Sequence, residues 1–329
     1  MKITQAHGGG GKLTADLISN IFARHFANEA LDQMEDAAVL TLGTPRVALT
    51  TDSFVVTPLF FPGGDIGRLA VCGTVNDLLM RGATPRYLTA GFILEEGLDT
   101  HTLEDVVISM KKTADEARVS IVAGDTKVVE GHGGLYINTA GVGEMRCSQN
   151  ISAGNAHPGD VVIISGDLGL HHAAILSARM GIENTIKSDA APLGEMVGKL
   201  LEAGLPVHTL RDITRGGLGT VLYEIAQASG VHIAMDHTVP LTNDMVAGFC
   251  DLLGLDPLFM GNEGKMALVL PEDFAKEALA LLDASCYASK PRIVARVRES
   301  ASPLVTLGTR GGGTRIIEPM AGEGLPRIC

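Results

Sequence analysis

Apolar positions along the chain repeat with two periods. Leu13, Leu17, Ile18, Ile21, Phe22 and Phe26 fall at helical spacing, as do Ile66, Leu69, Ala70, Gly73 and Leu78 within 66–81. Runs of β-branched and apolar residues predict strands at 3–6, 37–42, 46–56, 87–94, 119–123 and 135–142, with a further helix at 103–118. Near 146–159 the chain turns polar, with Ser148, Gln149, Asn150, Ser152, Asn155, Pro158 and Gly159. A domain boundary is placed there, giving one unit over 1–150 and a second over 151–308. The second unit reads as strands at 161–165, 231–235, 266–270 and 293–297. Its helices are predicted at 171–180, 193–203, 219–229, 243–253 and 271–284. Mixed strands and helices of this kind predict an α/β class, in an α+β two-domain arrangement.

The last residues break the pattern. Thr309-Arg310-Gly311-Gly312-Gly313-Thr314 reads as a hinge, and Pro319, Gly322, Gly324 and Pro326 oppose regular structure after it. Residues 309–329 are therefore expected to be a flexible tail ending in Cys329. About eighteen such residues reach at most about 60 Å. On composition alone, a frayed terminus that happens to end in a thiol describes the same segment.

Composition narrows the classes. A chain of 329 residues exceeds one ordinary core, and 46% hydrophobic with 19% charged residues is a globular balance. The net charge of −12 argues against nucleic acid or an anionic membrane as partner. Five dispersed cysteines with no C-x-x-C pair, and a first segment without an apolar leader pattern, predict a cytoplasmic protein.

Candidate chemistry centres on acids and glycines. His7-Gly8-Gly9-Gly10-Gly11-Lys12 fails the phosphate-loop spacing, since Ala6 and Leu13 stand where Gly and Ser or Thr are required. Lys12 before a helix remains either an anion contact or part of a flexible loop. Asp36, Asp52, Asp77 (beside Asn76), Asp125 and Asp212 each sit at or within an apolar element. Singly, each reads as a cap, a turn or a solvated face. Together they require a cation, and hard oxygen ligands suit Mg²⁺ shared with phosphate. Arg211-Asp212-Ile213-Thr214-Arg215-Gly216-Gly217 leads into an amphipathic helix, which is equally an anion site and an ordinary helix start. Gly124-Asp125-Thr126-Lys127 and Asn262-Glu263-Gly264-Lys265 place acid and base together in turns beside strands. Nucleophile elbows, zincin motifs and dinucleotide fingerprints do not occur.

Taken in order, these segments resemble the HypE family of hydrogenase maturation factors. Thr51-Asp52-Ser53, Pro58-Leu59-Phe60-Phe61-Pro62-Gly63-Gly64 and Gly73-Thr74-Val75-Asn76-Asp77 carry the likeness through the first half, and Pro326-Arg327-Ile328-Cys329 closes it. The resemblance implies a relative of aminoimidazole ribonucleotide synthetase, selenophosphate synthetase and thiamine-monophosphate kinase. The N-terminal half would form a β-barrel across a homodimer, the C-terminal half an α/β layer, with ATP and Mg²⁺ between. It implies metal and nucleotide positions at Asp36, Asp52, Asp77, Asp125 and Asp212, with Asn76, Thr126, Thr214, Arg215, Gly216, Gly217 and Asn262 alongside. It also implies a carbamoyl group, loaded onto Cys329 by the carbamoyltransferase HypF. ATP-dependent dehydration would turn it into thiocyanate, whose cyanide passes to iron on a HypC–HypD scaffold and becomes a ligand of the nickel–iron hydrogenase. Glu263 would act as base, Lys127 as its partner, and Lys12 would contact phosphate. Two rivals stand beside this reading. One is another ATP-dependent enzyme of the superfamily acting on a free small molecule. The other is a non-catalytic carrier that uses Cys329 for an acyl group or metal.

Overall fold

The structure, a computed structural model, describes residues 1–9, 11–34, 37–145, 148–309 and 311–319. Two of the expected site residues, Asp36 and Cys329, lie outside the described residues, as does the whole Pro326-Arg327-Ile328-Cys329 motif.

The N-terminal amphipathic run forms α1 (Lys12–Leu17), a π-helical stretch Ile18–Ala23 and α2 (Arg24–Phe26). After it come β1 (Val47–Phe54), the short pair β2 (Phe60–Phe61) and β3 (Gly64–Asp65), and α3 (Ile66–Met80). Next are β4 (Thr84–Glu95), α4 (Thr100–Ala117), β5 (Ser120–Val129) and β6 (Leu135–Glu144). Strands β1, β6, β4 and β5 make one sheet in that order, with β4 and β5 parallel and the other pairs antiparallel. Alternation decides its faces: Leu88, Ala90, Phe92 and Leu94 turn inward onto the core, while Thr89 and Ile93 between them are exposed. The buried side of α3 is nearly its whole circumference, and Asp65 caps its start by accepting from the Gly67 and Arg68 N–H groups.

The second half contains β7 (Asp160–Ile164), α5 (Leu170–Met180), α6 (Gly194–Glu202), β8 (Thr209–Asp212), α7 (Gly217–Ser229) and β9 (His232–Met235). It continues with α8 (Asp244–Leu253), β10 (Met266–Pro271), α9 (Ala275–Asp283), β11 (Arg292–Arg298), β12 (Leu304–Gly308) and β13 (Thr314–Ile316). A seven-stranded mixed sheet runs β13-β12-β9-β11-β7-β10-β8. Every residue of β7 is buried because both faces are covered. Val161 and Ile163 join a core shared with the first half, and Val162 and Ile164 join a second core that includes Leu218, Leu222 and Ile225 of α7. Among the described residues no helix is long and apolar enough to cross a membrane.

Three expectations are corrected. Residues 37–42 form no strand; Val39 is 86% exposed, and β-propensity without a neighbouring ladder does not make a strand. Residues 3–6 give only a bridge at Lys2 and then a 3₁₀ turn, Gln5–Gly8. The glycines at 311–313, expected to be a hinge, close the β12–β13 hairpin instead. Thr309 N–H donates to the Gly313 carbonyl at 2.9 Å, and Ile317 is buried in the second core. Regular structure thus extends to Ile316, inside the predicted tail.

Candidate active site

α3 packs against both β1 and β8, and this contact assembles the site. Asp52 belongs to β1, Asp77 lies near the end of α3, and Asp212 ends β8. With Thr51, Ser53, Phe54, Gly73, Thr214, Arg215 and Glu263 they line a cavity of about 260 Å³. Gly73 is required here because a Cβ would stand 2.8 Å from the Phe54 ring. Thr50 Oγ1 donates to Asp77 Oδ2 at 2.8 Å, and the Ser53 N–H donates to Asp52 Oδ1 at 2.7 Å.

The cavity concentrates negative charge out of water. Burial, reinforced by Asp77, pushes the Asp212 carboxyl up to about 7. Burial also raises Asp77 against the opposing hydrogen bond from Thr50. Glu263 is held well above the carboxylate range by burial, with Asp212, Asp189 and Asp52 adding to it and Arg215 opposing. The far wall has the opposite polarity. Gly216 and Gly217, both at positive φ, start α7, so the positive end of a 13-residue helix follows Thr214 and Arg215 directly. Three carboxylates facing a guanidinium and a helix N-terminus match a divalent cation carrying polyphosphate.

Family models for the N-terminal domain of AIR synthase related proteins match residues 34–145, and those for the C-terminal domain match 157–303. Carbamoyl dehydratase HypE of Rhodobacter capsulatus is 44% identical over 338 aligned positions, covering 100% of this chain and 98% of the relative. The chain belongs to the HypE family. Its fold superposes on a crystal structure of hydrogenase maturation protein HypE in complex with ATP with a TM-score of 0.95, at 45% identity and 99% coverage of both chains. HypE from a HypE–HypF complex matches with a TM-score of 0.80 at 46% identity, covering 92% of this chain and 99% of that one.

Against the HypE pattern, the expected residues divide into three groups. Asp52, Asp77, Asp212, Thr214, Arg215 and Glu263 line one cavity, with Gly216 and Gly217 at its rim. Asn76 and Asn262 are buried beside it, adjoining Asp77 and Glu263 in the chain. The Asn76 amide bonds Ala191 O and Leu193 N–H, and the Asn262 amide bonds Ile213 O, Met260 O and Gly169 N–H. Both amides bracket the loops that border the cavity. The third group, Asp125, Thr126 and Lys127, sits on β5 in the strand itself, not in a turn. It lines a different, mostly apolar cavity of about 350 Å³ with Phe22, Phe26 and Leu31. Asp125 does not share the buried acidic cluster: its side chain is 69% exposed, and Lys127 bonds it at 2.9 Å, lowering its pKa. Lys12 opens α1 as an exposed residue.

Asp189 escaped the sequence reading. It lies half-buried in the loop 181–193, accepts the Glu263 N–H at 3.2 Å through Oδ1, and turns Oδ2 inward without a partner. Burial raises its pKa. Gly264 is obligatory beside it, since a Cβ would run into the Asp189 carbonyl. Nothing in Lys187-Ser188-Asp189 marks it in sequence.

Proposed function

We propose that the chain is an ATP-dependent carbamoyl dehydratase, converting a carbamoyl group on Cys329, S–C(=O)–NH₂, into S–C≡N with release of ADP and phosphate. The observation that carries this reading is the split cavity: Asp52, Asp77 and Asp212 face Arg215 and the α7 N-terminus, with a buried Glu263 between them. When bound, ATP with Mg²⁺ supplies the phosphoryl group that turns a poor leaving oxygen into phosphate. The three aspartates would hold the cation, and Arg215 with the N-terminal end of α7 would hold phosphate oxygens. Glu263 removes the nitrogen protons. Burial and the neighbouring carboxylates raise its carboxyl well above the ordinary range, which makes it a stronger base once ionised, and a neighbouring cation would oppose that rise.

The same reading assigns HypF as the protein that loads Cys329, a HypC–HypD iron scaffold as the acceptor of cyanide, and the cytoplasm as location. It also makes the protein a homodimer. The outward face of the four-stranded sheet is uncovered in one chain, with Leu49 at 74% and Ile93 at 45% exposure, and β1 and β5 are free edges. Two such sheets close into an eight-stranded barrel that abolishes the edges. Lys127 and Asp52 stand on opposite edges, separated by three strand spacings, about 14 Å, across the sheet and by three residues, about 10 Å, along it. Pairing β1 with β5 of a second copy removes that separation.

Single-turnover ATP hydrolysis tests the function. Hydrolysis should depend on prior carbamoylation of the chain and be lost in Cys329→Ala. Normal loading-dependent turnover in that variant would refute the assignment, and hydrolysis indifferent to loading would favour a kinase of the superfamily acting on a free substrate.

A further inference from the structure

Away from the acidic cavity, a second set of ligating side chains converges. His157, Asp160 and His208 bring three ligand atoms within 4.8 Å of one another. His157 lies just before β7, Asp160 is its first residue, and His208 immediately precedes β8. Asp160 is buried at 3% exposure, and its Oδ2 accepts both the His157 N–H and His208 Nδ1, each at 2.8 Å. A carboxylate only accepts, so the proton of that second bond resides on His208 Nδ1. The His157 Nδ1 atom stands 3.4 Å from His208 Nδ1, with the two rings at 74°.

We propose that His157 Nδ1, His208 Nδ1 and Asp160 Oδ2 bind one divalent transition ion of the zinc class, with a fourth position open to water. In a tetrahedral site with bonds of about 2.0–2.1 Å, adjacent ligand atoms lie about 3.3 Å apart. The two imidazole nitrogens already stand at that edge length. The nitrogen–oxygen pair needs to open by about half an ångström when the ion replaces the proton between them. That proton transfers to Nε2 of the same ring, so His208 remains neutral and no further group need change its charge. Two imidazoles and one carboxylate favour Zn²⁺ or Ni²⁺ over Mg²⁺ or Ca²⁺, which separates this site from the all-oxygen cavity.

The frame is rigid. The His208 N–H donates to Val269 O at 3.0 Å, its carbonyl accepts from Ser152 N–H at 3.1 Å, and Asp160 pairs with Pro271 in the sheet. His157 is exposed and leaves a path for entry. Ser152 and His157 belong to the polar connector before β7, and His208 leads into the strand that ends at Asp212. The ion would tie that connector to the strand carrying a cavity carboxylate.

Isothermal titration of Zn²⁺ into the full-length, chelator-treated protein tests the site, alongside His157→Gln and His208→Gln. Asp160 is left intact because it also holds its turn. One equivalent of Zn²⁺ should bind the parent chain, and each variant should lose at least about a hundredfold in affinity while melting as a folded protein. Competing thiolates are Cys286, exposed among the described residues, and Cys147 and Cys329 outside them. Co²⁺ substitution distinguishes the two kinds of site, because nitrogen and oxygen ligation gives no thiolate charge-transfer band. Equal affinity and stoichiometry in all three chains, or a thiolate band from the bound ion, whichever cysteine supplies it, would overturn the proposal.

Discussion

Asp212 shows how one buried carboxyl couples stability to the cation. Its pKa is about 7 in the folded chain against 3.8 for an ordinary Asp. Between those values the native state binds the extra proton, so its contribution to stability falls as pH rises and the penalty is complete above about 7. Asp212→Asn removes the ionisation. In urea titrations without metal, the variant should match the parent near pH 4 and become the more stable of the two by on the order of 1–3 kcal/mol at pH 8. Mg²⁺ with nucleotide should narrow that gap by stabilising the parent alone. Glu263 carries the chemical counterpart: Glu263→Gln should still accept carbamate on Cys329 yet lose about 10²–10⁴-fold in thiocyanate formation, read by mass spectrometry of the C-terminal peptide. An undiminished yield would remove Glu263 as base. At this scale the sequence was informative about residue type and weak about environment. Asp125 and Asp212 both adjoin apolar runs, but β5 is an edge strand and exposes one, whereas α3 covers the other.

Among the elements, α7 depends on backbone that only glycine supplies. Gly217 has φ +63°, and a Cβ would lie 2.6 Å from Leu258 O and 2.5 Å from Phe259 C. Gly217→Ala should therefore cost at least about 2 kcal/mol, seen in thermal or denaturant melts, and displace the N–H groups proposed to meet phosphate. The nucleotide affinity should fall with it. Helices such as α3 and α4 were legible because their apolar period runs over four or five turns. β8 was missed since Thr209-Leu210-Arg211-Asp212 is too short to show any period, and it becomes a strand only through its ladder to β10. The β12–β13 hairpin was hidden for another reason. Three consecutive glycines read as freedom, but here Gly312 at φ +81° makes the reversal. With Ile317 anchored, twelve residues remain to Cys329, a span of at most about 40 Å, compared with the longer arm expected from sequence.

For the whole molecule, the separation of Lys127 from Glu263 decides the arrangement. Within one chain they line different cavities, yet the proposed reaction uses both on the same carbamoyl group. The proposed cross-pairing of β1 with β5 in a dimer would resolve this by building each site from two copies, with Glu263 from one and Lys127 from the other. Leu49→Lys, on the uncovered face, should then yield a folded monomer by analytical ultracentrifugation and abolish turnover. A sharper consequence follows from two-fold symmetry. Lys127→Ala and Glu263→Gln homodimers should each be inactive, having no intact site. After the two are unfolded together and refolded, half the dimers are mixed, and each mixed dimer contains one site with both residues native and one with neither. Activity should return to about a quarter of the parent value. If Lys127 and Glu263 act from the same chain, every site in every mixed dimer keeps a defect, and no activity returns.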